Sequence, residues 1–162
     1  MVAEITNVFA QVLGFTNAEL KMMNSIAFLH DIGKIIIQDN ILQSTNSLTN
    51  DEYEEMKKHP DIGFRILSSV DDLSDAAKII LNHHERIDGN GYPNGLKDKE
   101  IPIESKIISI CDAYDAMIGD RHYKKTLSHE KVVEEFNNNK GTQFDLELTN
   151  IFINEILNEK KA

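Results

Sequence analysis

Two histidines stand side by side at the end of an apolar run, in "LNHHERIDGNGYPNGL" over residues 81–96. On a helix, neighbouring residues point about 100° apart, so one packing face cannot absorb both rings. Other polar groups are similarly misplaced: His30 and Asp31 in "AFLHDIGK", His59 in "KKHP", and Asp112 in "IISICDAYDAM" with Asp115 one turn on. Each falls inside or at the end of an apolar helical pattern, where a solvated residue is not expected. Asp31 reads as lying in the last turn before Gly33, where the helix dipole disfavours a carboxylate by about 0.3–1 kcal/mol. An unpaired carboxylate on the inner side adds a desolvation cost. A cation removes both objections and keeps His30 neutral and ligating. The adjacent pair His83 and His84 can converge on an ion that sits beyond a helix end rather than against its side.

Taken singly, each histidine also fits a satisfied core or surface position, and the dipeptide His-Asp is common by chance. The metal reading rests on the combination of His30, His59, His83, His84, Asp31 and Asp112 on separate apolar patterns. Imidazole and carboxylate donors without thiolate favour iron, manganese or another oxygen- and nitrogen-preferring ion over structural zinc. Six donors are too many for one tetrahedral site. They suit two divalent ions bridged by a carboxylate, an arrangement that activates water and clamps a phosphoryl group. Cys111 lies on a packing face and reads as core, while His122 and His129 lie in polar surroundings and read as surface.

The elements that must position these groups are helical. Residues 1–13 read as a helix that starts without a capping residue. Thr16-x-x-Glu19 is a capping box opening a second helix, with Gly33 as its stop. The segment "KIIIQDNIL" fits either an extended stretch or a short helix. Thr49-x-x-Glu52 is a second capping box, for a helix closed by His59, and Pro60 suits the first turn of the next. Ser74 is placed to cap "DAAKIILNHHE", where Ala76, Ile79, Ile80 and His83 share a face. A glycine-rich loop runs from Asp88 to about Pro102, and a long helix from Ile103 to Ile118. Two further helices follow Ser128 and Asp145, with Gly141 between them. The expectation is one all-α domain spanning residues 1–162, a bundle of seven or eight helices with one long loop.

At 162 residues the chain is long enough to bury a core, and 41% hydrophobic with 27% charged residues is ordinary for a soluble domain. The formal net charge of −10, from 17 basic and 27 acidic residues, argues against DNA or RNA as partners. A small phosphorylated ligand stays compatible if metal ions or local cations hold its charge. No apolar run is long enough to cross a bilayer, no secretory signal opens the chain, and the single cysteine suits a reducing cytoplasm.

"HDIGK", "HPDIG", "HHERIDGNGYPNGL", "IPIESKIISICDAYDAMIGDRHYKK" and "QFD" occur here in the order found in HD-GYP domains. The chain resembles this branch of the HD phosphohydrolase superfamily, which hydrolyses the second messenger cyclic di-GMP, from about Leu13 to its end. The resemblance implies a metal-dependent phosphodiesterase with a cyclic dinucleotide substrate and pGpG or GMP as product. It implies that Asp31 bridges two metals, that His30 and Asp112 complete the first site, and that His59, His83 and His84 complete the second. Lys34 would contact the scissile phosphate and the attacking water. Gly91, Tyr92 and Pro93 form the GYP signature, with Tyr92 against substrate, and Arg121 and Lys124 would hold substrate phosphate.

The sequence departs from the family pattern in three places. "ILQSTNSLT" lacks the usual Lys-Pro-Gly, Gln38 and His122 stand where proline is common, and a first-helix histidine of the family would fall before Met1. Relative to the family the domain is thus expected to be truncated at its N-terminus, with a first metal site short of one ligand. The alternative that follows is a weak or inactive module that binds cyclic di-GMP, or docks a protein partner through the GYP loop. A sensor or receiver domain upstream is compatible with either reading. A third reading is an HD phosphohydrolase with another nucleotide substrate.

Overall fold

A computed structural model describes residues 1–119 and 126–158; Arg121, His122 and Lys124 lie outside the described residues. The helices are α1 (Val2–Val12), α2 (Asn17–Leu29), α3 (Asp39–Leu42), α4 (Asn50–Met56), α5 (His59–Leu67), α6 (Ser74–Leu81), α7 (Ile103–Ile118), α8 (His129–Asn139) and α9 (Leu146–Ile151). α9 continues as a π-helical stretch through Phe152–Leu157. Among the described residues no strand forms, only isolated bridges at Asp88–Lys97 and Lys140–Phe144. α3 is a single turn, so among the described residues eight helices are longer than one turn, as the sequence predicts for this all-α chain. No described helix is long and apolar enough to cross a membrane.

The local signals explain most boundaries. Thr16 and Thr49 each accept the N–H of the glutamate three residues on, and Glu19 and Glu52 return the bond to the cap. α1 starts at Met1 with no side-chain cap. The open segment "KIIIQDNIL" is helical, a 3₁₀ turn over Ile32–Ile36 followed by α3. Two expectations need correction. Ser74 is the first residue of α6 and makes no capping bond, because the 3₁₀ turn Asp71–Leu73 leads straight into the helix. His59 opens α5 rather than closing α4, which ends at Met56. Pro60 at the second position of α5 needs no N–H there.

α7 is packed by α1, α6, α8 and α9. Its Ile107, Ile108, Ile110 and Cys111 are fully buried, together with Phe9, Met23, Ile26, Ile80, Phe136 and Phe152 from the surrounding helices. Phe152 meets Phe9 edge-on at 5.0 Å, Phe136 at 5.3 Å and Tyr114 at 5.5 Å. Burial pushes the Cys111 thiol up to about 12, which agrees with a core role. The dry core thus sits on one side of α7, and Asp112 projects from another.

Candidate metal centre

The cluster forms where several helix ends meet. His30 is the residue after α2, Asp31 begins the 3₁₀ turn, His59 begins α5, and His83 and His84 follow the end of α6. Gly33 makes the meeting possible in a way its place near α2 does not suggest. A Cβ there would lie 1.9 Å from the carbonyl oxygen of His59 and 2.7 Å from the nitrogen of Gly63. Its absence lets the 3₁₀ turn lie directly on α5, so Gly33 is a contact point rather than the helix stop predicted for it. α2 has already ended at Leu29.

Three imidazoles are held by the same device. The Nδ1–H groups of His30, His59 and His83 donate to the carbonyls three residues back, Ala27 at 2.8 Å, Met56 at 2.7 Å and Ile80 at 2.5 Å. A carbonyl can only accept, so the proton sits on Nδ1 and each Nε2 presents a lone pair inward. The Nε2 atoms of His59 and His83 are nevertheless 3.4 Å apart in a buried setting. Two lone pairs facing each other suit a cation between them. Nε2 of His30 is likewise buried with no hydrogen-bond partner.

Asp31 joins two halves of the cluster. Its Oδ1 is 3.3 Å from Nε2 of His59, while its Oδ2 is 3.4 Å from Nε2 of His30 and 2.6 Å from Nζ of Lys34. Donor atoms of Asp31, His59, His83 and His84 all lie within 4.8 Å of one another. Asp112 adds an oxygen 3.7 Å from Nε2 of His30. Bonds of about 2.1 Å to an ion place neighbouring ligand atoms roughly 3 Å apart, so these spacings fit ions seated among the donors. All six candidate donors are therefore brought together, with His59, His83 and His84 on one side of Asp31 and His30 with Asp112 on the other.

Electrostatics agree with that fit. Burial, with neighbouring imidazoles, depresses His59 and His84, and drops His83 to about 4. These rings are neutral at pH 7 and can ligate. Burial opposes charge on His30 as well, but the nearby carboxylates of Asp112 and Asp31 outweigh it and raise its pKa. Burial would also raise both aspartates, yet the imidazole of His30 holds Asp112 and, with Lys34, Asp31 below the ordinary carboxylate range.

The glycine-rich loop forms a wall beside these donors. Tyr92 stacks on His84 with ring centroids 4.9 Å apart and 29° between planes, and the Tyr92–Pro93 bond is cis. A polar cavity of about 300 Å³ adjoins this pair, lined by Tyr53, Arg86, Ser109 and Gln143. Lys57 places its ammonium 5.3 Å from the Tyr53 ring and 6.0 Å from the Tyr92 ring. Sequence reasoning singled out neither Lys57 nor the buried Glu85, which follows the histidine pair. A charged residue in a run of charged residues gives no local sign of burial. Cys111 and His129 stand apart from the donor cluster, as predicted.

The bundle and its His-Asp cluster at converging helix ends define the class: an all-α domain with a candidate metal site of nitrogen and oxygen donors. A model of the HD domain family matches residues 1–148, and the chain belongs to that family. A cyclic di-GMP phosphodiesterase from Thermotoga maritima is 42% identical over 146 residues, covering 89% of this chain and 40% of the relative. A 3′3′-cGAMP-specific phosphodiesterase from Vibrio cholerae is 37% identical over 146 residues, covering 89% of this chain and 28% of the relative. The chain thus spans less than half of the length of either. The solved structure of an HDGYP protein from Bdellovibrio bacteriovorus superposes with a TM-score of 0.77 at 24% identity, over 97% of this chain and 50% of that one. Fold and motifs together match the HD-GYP resemblance.

Proposed function

We propose that this chain is a metal-dependent phosphodiesterase that hydrolyses cyclic di-GMP to pGpG or GMP. The observation that carries the reading is Asp31, whose two oxygens face different imidazoles, Oδ1 that of His59 and Oδ2 that of His30, while Lys34 stands beside it. A lone carboxylate with that outlook is a bridge between two cations. The donor set, nitrogen and oxygen without sulfur, suits iron or manganese. Two such ions, when bound, neutralise phosphodiester charge and acidify water.

The chain's own side chains supply the rest. Lys34 holds a cation at the edge of the cluster, where a scissile phosphate would lie. Tyr92 gives a flat ring beside His84 against which a nucleotide can rest. Gly91 and Pro93 shape that wall, and Arg121 with Lys124 are proposed as further phosphate contacts. The similarity to relatives named for cyclic dinucleotides supports the substrate class, and one cysteine with a nucleotide substrate suits a cytoplasmic protein.

The test is to load the chain with iron or manganese, add cyclic di-GMP and separate the products by chromatography. Linear pGpG or GMP is expected, and cyclic GMP-AMP in the same panel reads substrate preference. No turnover of either dinucleotide by protein shown to hold two ions would overturn the proposal. A second reading, a dinucleotide-binding module of low activity, draws on the unequal halves of the cluster. Among the described residues only His30, Asp31 and Asp112 face the first side, against four donors on the second. One ion per chain and calorimetric binding without product would favour it.

A further inference from the structure

Glu85 is 3% exposed and follows the histidine pair directly, yet it is not part of the donor cluster. Its carboxylate accepts two backbone N–H groups from the glycine-rich loop, Asn94 at 2.6 Å on one oxygen and Leu96 at 2.9 Å on the other. Both amides lie just beyond Tyr92, whose own N–H donates to the carbonyl of His84 at 3.3 Å. The loop is thus folded back onto residues 84–86 by three backbone donors. Gly91 seals the contact, since a Cβ there would lie 2.3 Å from the nitrogen of Arg86 and 2.5 Å from Cα of Glu85.

A buried carboxylate is costly unless its charge is met by hydrogen bonds or a cation. Arg86 is next in sequence, but it directs its guanidinium to Asp88, at 3.1 Å and 2.7 Å, and to Gln143 at 3.0 Å. That second latch ties the start of the loop to the turn after α8, where the N–H groups of Ile87 and Asp88 also donate to Gln143 and Thr142. Glu85 is left to the loop amides, and charge-assisted bonds of this kind are among the stronger ones in a protein.

We propose that Glu85 is a positioning residue: by holding the Asn94 and Leu96 amides it fixes the Tyr92 ring over His84, so the substrate-facing wall is preformed. The functional half rests on the phosphodiesterase reading, whereas the anchoring half does not. The chemistry separates this role from simple space-filling. Each oxygen of Glu85 takes one N–H, so glutamine of the same size keeps only one acceptor and turns its amide N–H towards a backbone N–H. A side chain that merely filled the site would tolerate that exchange.

The experiment compares wild type, E85Q and E85A as full chains loaded with manganese. Amide hydrogen exchange across residues 88–97 is expected to show Asn94 and Leu96 protected in wild type and exchanging about tenfold faster or more in both variants. Exchange in α7 and the number of ions per chain should stay unchanged, which shows that the fold and the donor cluster persist. KM for cyclic di-GMP is expected to rise about tenfold with kcat changed much less, because ordering the wall becomes a cost of binding. Protection retained in E85Q overturns the acceptor role. Lost protection with unchanged KM overturns the positioning. Should wild type bind the dinucleotide without turning it over, the phosphodiesterase reading fails alone, and the calorimetric Kd is expected to weaken by the same factor.

Discussion

At the level of single residues, the cluster is decided by which ring nitrogen faces inward. The carbonyls of Ala27, Met56 and Ile80 take the Nδ1–H groups and leave three Nε2 lone pairs converging with Asp31. Replacing His83 with alanine is therefore expected to remove the ion on the four-donor side, read as ions per chain by elemental analysis, while D31A should lower occupancy on both sides. Lys34 acts differently, since it neighbours Asp31 without donating a lone pair. K34A is expected to keep its metal and lose about a hundredfold or more in kcat, the usual cost of removing a cation aimed at developing charge. The donors themselves were legible in the sequence because polar residues inside apolar patterns stand out. Glu85 was not, because its partners are brought near only by the fold of the loop, and neither was the reach of Lys57 from the end of α4 to Tyr92 on that loop.

At the level of elements, local signals were readable and tertiary ones were not. The caps at Thr16 and Thr49 involve residues three apart, so four letters of sequence contain the whole interaction. Gly33 looked like a helix stop because nothing nearby in sequence reveals the carbonyl of His59 against it. Two glycine replacements separate these cases. G14A meets nothing within 4 Å and carries only the strain of φ +82°, an expected loss of about 1 kcal/mol in urea unfolding. G33A collides with the backbone of α5 and is expected to cost about 1–3 kcal/mol or more, with reduced metal content as His59 is pushed from Asp31. The last cap has a pH signature. Burial would raise Asp145, but the N–H of Leu148 and the ammonium of Lys106 outweigh it and lower its pKa below 3.8. A carboxyl depressed in the folded state stabilises above its unfolded pKa and loses that contribution as pH falls through the folded one. Asn can still cap α9 without the charge. Relative to D145N, wild type should therefore lose its advantage in unfolding free energy as pH drops from about 5 to below the unfolded carboxylate value.

At the level of the whole molecule, the chain carries a net charge of −10, to which the donor cluster contributes the carboxylates of Asp31 and Asp112. The donors come from the ends of α2, α5 and α6 and from the middle of α7, segments far apart in sequence that the core alone must otherwise hold in register. The charge of Asp112 opposes ionisation of Asp31, although His30 and Lys34 hold the Asp31 pKa below its ordinary value. Ions that bind only the folded chain shift its unfolding by mass action. At a free metal concentration about a hundred times Kd, the gain is roughly 2.7 kcal/mol per site, or about 5–10 °C in Tm for a domain of this size. Thermal unfolding of the manganese-loaded chain should thus occur at a higher temperature than after chelation, and H83A should show a much smaller difference. Equal midpoints for loaded and chelated wild type, with binding verified beforehand, would mean that the unfolded chain binds the ions as well as the folded one. The cluster would then not be the preorganised centre that its hydrogen-bonded imidazoles describe.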